Sequence, residues 1–366
     1  MHKVLIVFNH PAPYKVKLFN ELSKSLDLTV IFERDSESDR NKAFYDEKRY
    51  EFKTVKVRGL KFGREGFISG QVAKHIKNNR YDLIIMNGYS HHAERKAIRY
   101  MKNHKIPYVL YINGGIIKPN ESKLKKSIKT KYISGALSYL SPDESSNEYL
   151  VYYGADKDKI FNYNYSTIFK HEVLPKPFSS KDKILLRKDA SITDEKVFVS
   201  CGQLIKRKNY FELIRVWKDV NPNYGLYIIG DGKLKPELQK FIYQNNLNNV
   251  HLLGYMKRSE MFDFYHLSDA FIFPSNEDIY GHVVNEAMSQ GLPVISTPNV
   301  NSSRKLIKNG YNGFMVENIE SKAFIDAIKE TLNLDMGENA IKTAYENTIE
   351  IMRDEHLEII ERIIEK

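Results

Sequence analysis

PSNEDIYGHVVNEAM, residues 274–288, contains the acidic side chains Asp278 and Glu286, which lie eight residues apart, and Glu277 stands next to Asp278. The apolar run at residues 269–274 leads into this stretch and predicts a strand, and a helix-like run begins at Gly281. We therefore expect Asp278 on the loop after a strand and Glu286 one turn into the next helix. The carboxyl end of a parallel strand beside a helix N-terminus suits a ligand that carries phosphate and hydroxyl groups.

Short apolar runs alternate with segments of helical period along the whole chain, which predicts an α/β protein with parallel, doubly wound sheets. In the first half we predict strands at 3–8, 28–32, 54–57, 82–86, 108–112 and 136–140, and helices at 14–25, 67–78, 91–103, 122–133 and 142–152. In the second half we predict strands at 196–200, 225–229, 250–253, 270–273 and 293–296, and helices at 209–219, 233–245, 259–266, 282–290, 321–332 and 338–365.

A proline-containing interruption at residues 171–178 separates the two alternating halves. We therefore predict an N-terminal domain at 1–170, a linker at 171–184, a C-terminal domain at 185–345 and a final helix at 346–366 that packs back on the first domain. The length of 366 residues suits two domains. Two Rossmann-like sheets of this kind predict a central cleft, with ligands at the C-terminal ends of the strands.

The net charge of +10 lies in the first half, because residues 1–170 hold 31 basic and 18 acidic side chains. This excess indicates either a solvated basic surface or attraction to an anionic partner, such as a lipid surface, a diphosphate-linked acceptor or nucleic acid. Six lysines between 118 and 131 interleave with apolar residues, which is typical of an exposed helix or of an element that lies on anionic lipid. Aromatic residues do not interleave with basic ones in this way elsewhere, so nucleic acid is not the expected partner.

Composition limits the location and the cofactors. The single cysteine, Cys201, fits a reducing compartment, and no apolar run approaches the length of a membrane span. We expect a cytoplasmic protein, and the basic first half allows peripheral attachment to the inner face of the cell membrane. We expect no metal, because no His/Cys cluster is present and Asp156-Lys-Asp158 reads as a turn. No cofactor is expected.

Two further glycine turns follow predicted strands of the second half. Gly202 begins a loop that ends in Arg207 and Lys208 before a helix, which suits a diphosphate, although a turn with two solvated cations has the same pattern. Gly230 lies in Gly-Asp-Gly, which equally describes an ordinary tight βα turn. The acids of 274–288 could likewise serve only to complement a helix dipole.

Taken together, these motifs resemble a known family. The second half is similar to the nucleotide-sugar domain of retaining glycosyltransferases of family 4, the glycogen-synthase-like group with the GT-B architecture of two Rossmann-like domains. The resemblance covers residues 196–315 and rests on the residues at 202–208, 229–232, 250–255, 268–270, 274–275, 281–288 and 291–295. The first half resembles the family more weakly, at 9–14 and 18–22, and is most similar to members that build capsule, exopolysaccharide or other surface glycans.

The resemblance implies roles for the donor site. Arg207 and Lys208 would hold the donor diphosphate, Glu286 would bind the ribose, and Asp278 would lie against the sugar, with Glu277 as the alternative acid. The predicted catalytic residues are Arg207, Lys208, Asp278 and Glu277. The predicted donor contacts are Gly202, Arg207, Lys208, Gly230, Asp278, Tyr280, Gly281, His282, Val283 and Glu286.

The first domain departs from the family pattern. Many members carry a histidine after the mid-domain strand, where this chain has Asn113 and Gly114. The second domain departs at Gln203, which stands where many members carry arginine, so Arg207 would supply that cation. The predicted acceptor-cleft residues are Asn9, Pro13, Tyr14, Asn113 and Gly114.

The implied activity is metal-independent transfer of a hexose-type sugar, with retention, from a nucleotide-diphosphate donor, in most members a UDP-sugar. The acceptor would be a glycan hydroxyl, lipid-diphosphate-linked, in surface polysaccharide synthesis. Two alternatives stay open: a nucleotide-sugar epimerase of the same fold, and a non-catalytic basic protein that binds lipid or nucleic acid.

Overall fold

The computed structural model describes residues 1–36, 49–57, 59–62, 66–118 and 120–365, and it divides into two units. The first unit comprises Met1–Tyr165 and Ile349–Lys366, and the second comprises Ser166–Thr348. Each unit contains one parallel sheet covered by helices, which confirms the predicted fold class of two doubly wound α/β domains. Among the described helices none has both the length and the apolar character to cross a membrane.

The sheet of the first unit has seven parallel strands in the order β3-β2-β1-β6-β7-β8-β9. Its strands are β1 Lys3–Phe8, β2 Asp27–Phe32, β3 Lys53–Lys56, β6 Leu83–Asn87, β7 Val109–Tyr111, β8 Ser138–Ser141 and β9 Ile160–Asn162, and β4 Leu60–Phe62 pairs antiparallel with β5 Gly66–Ile68. Its helices are α1 Pro13–Ser23, α2 Gln71–Asn78, α3 His92–Asn103, α4 Lys123–Ile133, α5 Glu144–Tyr152 and α14 Ile349–Ile364. The strand order reverses between β1 and β6, which is the position where such sheets open a ligand crevice.

Local sequence explains these elements. The β1 residues 4–8 are all buried, as expected for a central strand of a parallel sheet with both faces covered. Pro13 begins α1, where its missing N–H would have no helical partner. Asp143 caps α5 by accepting the Ser146 N–H at 2.8 Å.

The second unit contains six parallel strands in the order β12-β11-β10-β13-β14-β15. The strands are β10 Lys196–Cys201, β11 Tyr224–Ile229, β12 Val250–Gly254, β13 Ala270–Phe273, β14 Val294–Ser296 and β15 Gly313–Met315. The helices are α6 Ser180–Asp189, α7 Tyr210–Val216, α8 Lys235–Gln244, α9 Arg258–Leu267, α10 Val283–Ser289, α11 Asn301–Leu306, α12 Lys322–Asn333 and α13 Gly337–Tyr345. Successive residues of β10 enter different cores: Phe198 packs on Trp217, and Val199 packs with Phe271 and Met288.

Three predicted elements are wrong. The single helix predicted at 338–365 is two helices, because the Asn347 carbonyl accepts a hydrogen bond from Asn285 Nδ2 at 2.8 Å instead of continuing the helix. The helix predicted at 67–78 begins only at Gln71, after strand β5. The predicted linker at 171–184 already contains the start of α6, whose N-cap Ser179 accepts the Asp182 N–H at 3.2 Å.

The division between the units also differs from the expected limits. The first change of unit lies between Tyr165 and Ser166 rather than at 170, and the second lies between Thr348 and Ile349. Helix α14 packs against α1, where Arg353 Nη1 lies 3.2 Å from Glu21 Oε2, and Glu355 accepts the side-chain amide of Asn164 at 2.9 Å. The chain end therefore completes the first unit.

Candidate active site

Three loops of the second unit meet at one edge of its sheet, because β11, β10 and β13 are neighbours and run parallel. The loops follow the carboxyl ends of these strands at residues 202–209, 230–234 and 274–282. Backbone hydrogen bonds join them: the Leu204 N–H donates to the Asp231 carbonyl at 2.9 Å, and the Asn276 N–H donates to the Arg207 carbonyl at 2.9 Å. The structure thus brings together the three motifs that the sequence placed at strand ends.

Gly230 makes the closest approach between two of these loops. Its φ is +143°, and a Cβ at this position would lie 2.0 Å from the carbonyl oxygen of Gly202. Real Cβ atoms do not come this close to a backbone oxygen, so only glycine fits here without moving a loop. The Gly-Asp-Gly turn therefore fixes the distance between the β10 and β11 loops.

Arg207, Lys208 and Asp278 form a charged group at this edge. Lys208 is buried and its ammonium contacts the Asp278 carboxylate, while its Nζ lies 4.5 Å from the ring centroid of Phe273. Arg207 Nη1 lies 3.7 Å from Asp278 Oδ2 and donates to the Glu277 carbonyl at 3.1 Å. Burial lowers the pKa of Lys208, and the Asp278 carboxylate opposes that shift.

The two candidate acids differ in their surroundings. The Asp278 carboxylate contacts both cations, and its Oδ1 accepts the Tyr280 N–H at 3.2 Å. Glu277 is exposed, and its carbonyl rather than its side chain accepts from Arg207. The buried Ser275 hydroxyl lies 3.1 Å and 3.0 Å from the carbonyls of Arg207 and Glu277, so it ties the two loops beneath the charged group.

The segment from Tyr280 to Val283 turns the chain into α10. Gly281 has φ +88°, and its carbonyl accepts the Ser302 hydroxyl at 2.8 Å. The Ser302 N–H donates to the Tyr280 carbonyl at 2.8 Å, and the Tyr280 and His282 rings lie 4.9 Å apart. Helix α10 then begins at Val283, so Glu286 lies one turn inside it, where the sequence predicted it.

Glu286 has two partners that sequence reasoning missed. Thr167 Oγ1 donates to Glu286 Oε1 at 2.9 Å, and Arg258 Nη1 lies 3.8 Å from the same oxygen. Arg258 begins the helix after β12, so the strand-end argument used for Arg207 could have found it. Thr167 lies in a stretch without period or motif, and the sequence carried no signal for it.

The predicted acceptor residues lie in the first unit, at the ends of β1 and β7. Asn9 Oδ1 accepts the His10 N–H at 2.9 Å, and Asn113 Nδ2 donates to Asn87 Oδ1 at 2.9 Å. Pro13 starts α1, Tyr14 packs edge-on against Tyr165 at 6.1 Å, and Gly114 has φ +140°. Because β1 and β7 flank β6, these residues share one sheet edge around the reversal of strand order.

An acid–imidazole cluster at the same edge was also missed. His91 Nδ1 lies 2.9 Å from Glu33 Oε2 and 3.7 Å from Glu94 Oε1, and both carboxylates are buried. The hydrogen bonds to Glu33 and Glu94 raise the pKa of His91 to about 9, and burial raises the pKa of Glu33. Among the described residues this is the one group of histidine, cysteine and acidic side chains whose ligand atoms lie close enough together to hold a metal ion.

The second unit matches a known family. Residues 182–347 match the family model described as Glycosyl transferases group 1, and they lie wholly within this unit. The uncharacterized glycosyltransferase MJ1059 of Methanocaldococcus jannaschii is 42% identical over 118 residues, 31% of this chain and 29% of that protein. The UDP-Gal:alpha-D-GlcNAc-diphosphoundecaprenol alpha-1,3-galactosyltransferase of Escherichia coli is 33% identical over 156 residues, 40% of this chain and 38% of that protein.

These matches are partial, because the chain spans only 29% and 38% of the length of these two curated relatives. Structural similarity to a solved structure covers nearly the whole chain. The structure of Alr3699/HepE of Anabaena, in complex with UDP and glucose, matches with a TM-score of 0.75 over 99% of this chain and 100% of that chain. Its sequence identity is 18%, so the likeness concerns the fold, which agrees with the predicted GT-B architecture.

Proposed function

We propose that this chain is a retaining glycosyltransferase that moves a hexose-type sugar from a UDP-sugar to a hydroxyl of a glycan acceptor in surface polysaccharide synthesis. The observation that carries the proposal is the joining of Arg207, Lys208 and Asp278 at one sheet edge, beside the helix that bears Glu286. Cations suited to a diphosphate and carboxylates suited to hydroxyls are the two halves of a nucleotide-sugar site.

The cations support departure of the nucleotide. Negative charge develops on the diphosphate oxygen as its bond to the anomeric carbon breaks, and fixed cations at that place lower the barrier. Lys208 is well suited to this, because a buried charge acts through a lower effective dielectric than an exposed one. A bound diphosphate would compete with Asp278 for both cations and so release that carboxylate to accept sugar hydroxyls.

Retention follows from attack on the face that the diphosphate leaves. The acceptor oxygen forms its bond to the anomeric carbon as the bond to the diphosphate breaks, and the acceptor proton passes to the departing phosphate oxygen. The balance requires no metal and no side-chain base. Glu286 would meanwhile accept hydrogen bonds from the ribose hydroxyls, which fixes the nucleotide relative to the reacting carbon.

A lipid-diphosphate-linked acceptor is supported by charge and by one relative. The E. coli relative is named for transfer to a diphosphoundecaprenol-linked sugar. In this chain α4 exposes Leu124 and Ile128 among lysines, which suits an anionic lipid surface at the inner face of a membrane. We place the acceptor contacts at Asn9, Pro13, Tyr14, Asn113 and Gly114 of the first unit.

Substitution of the charged group tests the proposal. Arg207→Ala should lower kcat/KM for UDP-sugar-dependent transfer by roughly 100-fold or more, since it removes charge stabilisation at the leaving group. Glu286→Ala should chiefly weaken UDP binding. Transfer is measured with a panel of UDP-sugars and lipid-diphosphate-linked acceptors, and binding by calorimetry.

Arg215→Ala is the control, because Arg215 is an exposed arginine of the same unit that pairs with Glu212 and Glu320. Full transfer by both Arg207→Ala and Glu286→Ala would contradict the proposed site. Incubation of the protein with the nucleotide sugar alone tests the alternative activity, that of a nucleotide-sugar epimerase. Formation of an epimerised nucleotide sugar would show that the chain is an epimerase rather than a transferase.

A further inference from the structure

Glu286 is held by two side chains from outside its helix, and both contacts lie within the second unit. Thr167 Oγ1 donates to Oε1 at 2.9 Å, and Arg258 Nη1 stands 3.8 Å from the same oxygen. The Glu286 side chain is only 13% exposed, so these contacts lie in a largely desolvated place. In the described part of the chain Oε2 has no such partner and remains available to accept hydroxyl donors.

Arg258 also fixes Thr167. Its Nη1 donates to the Thr167 carbonyl at 3.0 Å, its Nη2 lies 3.4 Å from Glu172 Oε2, and its guanidinium lies 4.9 Å from the ring centroid of Phe262. A guanidinium has five N–H donors in a rigid plane, so it can hold a carbonyl and two carboxylates at set angles. One arginine thereby orders both the carboxylate and the residue that donates to it.

The segment that carries Thr167 is attached to the helix that carries Glu286. Asn285 Nδ2 lies 3.3 Å from Ser166 Oγ, and Gln290 Nε2 donates to the Glu172 carbonyl at 2.9 Å. These contacts lie on either side of Thr167 in the sequence, and both come from α10 or the residue that ends it. The distance between Thr167 and Glu286 is therefore set by the helix itself.

We propose that Thr167 and Arg258 are positioning residues that hold the Glu286 carboxylate in the orientation that accepts the hydroxyls of a ribose, and that they determine the preference for ribonucleotides over deoxyribonucleotides. The inference rests on the proposed function, in which Glu286 binds the nucleotide ribose. A carboxylate that rotates freely accepts hydroxyls less well, because its orientation must then be fixed on binding. Hydrogen bonds to a charged group are among the strong ones, so their loss is measurable.

Nucleotide selectivity is the readout that a merely structural role would not change. The affinities of the full chain for UDP and for 2′,3′-dideoxy-UDP are compared by calorimetry. The unaltered protein should prefer UDP by about tenfold or more, as expected for hydroxyl donors on a carboxylate. Thr167→Val should reduce this preference by about tenfold while leaving the affinity for 2′,3′-dideoxy-UDP unchanged, and Thr167→Ser should restore it.

Arg258→Lys provides a second variant, since it keeps the positive charge but cannot hold the Thr167 carbonyl and the carboxylates together. It should lose selectivity in the same direction as Thr167→Val. Thr331→Val is the matched control, because Thr331 is a buried threonine of the same unit whose hydroxyl donates to the Ala327 carbonyl at 2.7 Å. The control should lower stability without changing selectivity.

The results distinguish failure of the positioning role of Thr167 and Arg258 from failure of the proposed function. If the unaltered protein binds no UDP, the proposed donor and the inference both fail. If UDP binds and the variants keep their preference for UDP over 2′,3′-dideoxy-UDP, the inference alone is overturned. An equal loss of affinity for both nucleotides would also overturn it, since that result describes general loosening of the site.

Discussion

Gly230 is a position where the geometry of the site requires glycine. The residue follows β11 with φ +143°, and a Cβ at this position would meet the Gly202 carbonyl. Gly202 in turn starts the loop that carries Arg207 and Lys208. A side chain at 230 would push that loop away from the turn, so the positions of Arg207 and Lys208 depend on the glycine at 230 as well as on their own side chains.

We expect Gly230→Ala to destabilise the second unit by roughly 2–4 kcal/mol and to weaken UDP binding, because its Cβ would meet the Gly202 carbonyl oxygen at 2.0 Å. Gly310→Ala is the matched control: Gly310 also has a positive φ, +72°, but a Cβ there would meet no atom within 4 Å. The control should cost about 1 kcal/mol for backbone strain and leave UDP binding intact. Urea denaturation and calorimetry check both values. Equal effects of the two substitutions would show that contact with Gly202 is unimportant.

The helices and strands show which parts of the molecule were predictable. Strands such as β1 and β10 are central and contain continuous apolar runs, at residues 4–8 and 197–199, and those runs located them. Glu286 was placed correctly on its helix because Gly281 marks the turn before it. The edge strands β9 and β15 were missed. Strands β7 and β14 also have three residues each, but they are buried throughout, whereas β9 and β15 are only partly buried.

The site was predictable only where it follows strand ends. Arg207, Lys208 and Asp278 lie at such ends, and the parallel order of β10 and β13 brings them together. Arg258 follows the end of β12, so its position was predictable in the same way, but Thr167 lies 119 residues from Glu286 in a stretch without a motif. Only the packed fold sets the contacts of these two residues with Glu286. The buried pairing of His91 with Glu33 escaped notice for the same reason, since a histidine at a helix start resembles an exposed cap.

Helix α4 is the element that we propose as the contact with an anionic membrane. Its Ser122 cap accepts the Lys125 N–H at 3.4 Å, and Leu124 is 72% exposed among neighbouring lysines. Not every lysine is free, since Lys129 pairs with Glu121 at 2.7 Å and Lys126 lies over the Tyr152 ring at 3.8 Å. Lys123 and Lys125 are exposed, and they are the lysines whose charge can be reversed with least effect on packing.

Vesicle binding should respond to these two lysines. The double substitution Lys123→Glu, Lys125→Glu should lower the amount of protein that sediments with phosphatidylglycerol vesicles at low salt by about tenfold or more, since each basic residue near such a surface contributes about 1 kcal/mol. Lys240→Glu with Lys329→Glu makes the same change of net charge on exposed positions of the second unit and should have little effect. Binding that persists at high salt, or that falls equally in both variants, would remove α4 as the membrane contact.

At the scale of the whole molecule, the last helix of the chain returns to the first unit and helps to bury a lysine and a histidine there. Helix α14 brings His356 against Tyr111 and Tyr163, with ring centroids 5.7 Å and 4.6 Å apart. Lys15 is fully buried beside the same rings, and its Nζ donates to the Tyr111 hydroxyl at 2.5 Å. Burial lowers the pKa of Lys15 well below its usual range, and burial lowers the pKa of His356 to about 3.

These two shifts give the first unit a defined response to pH. Lys15 and His356 are cationic when protonated, and folding lowers the pKa of each, so each binds more protons in the unfolded state than in the folded state. The free energy of unfolding therefore rises with pH between the folded and the unfolded pKa of each group. For His356 that window runs from about 3 to 6.5, and for Lys15 it extends up to 10.5. His91 acts in the opposite sense, because its raised pKa means that the stability it adds is lost between 6.5 and about 9.

Lys15→Met isolates the lysine contribution from the others. Methionine has a similar length and no charge to remove, so the variant should be more stable than the unaltered protein at pH 7. This advantage should shrink by at most about 1.4 kcal/mol for each pH unit as the pH rises toward 9.5. The reason is that the unfolded unaltered chain still holds the Lys15 proton below its ordinary pKa of 10.5, and releasing that proton on folding costs less free energy as the pH rises. Urea denaturation of both proteins at pH 7, 8 and 9 gives the difference directly, and His91 affects both proteins alike. A pH-independent difference would mean that Lys15 keeps its proton in the folded state, held by the rings of Tyr111 and Tyr165 at 4.5 Å and 4.1 Å.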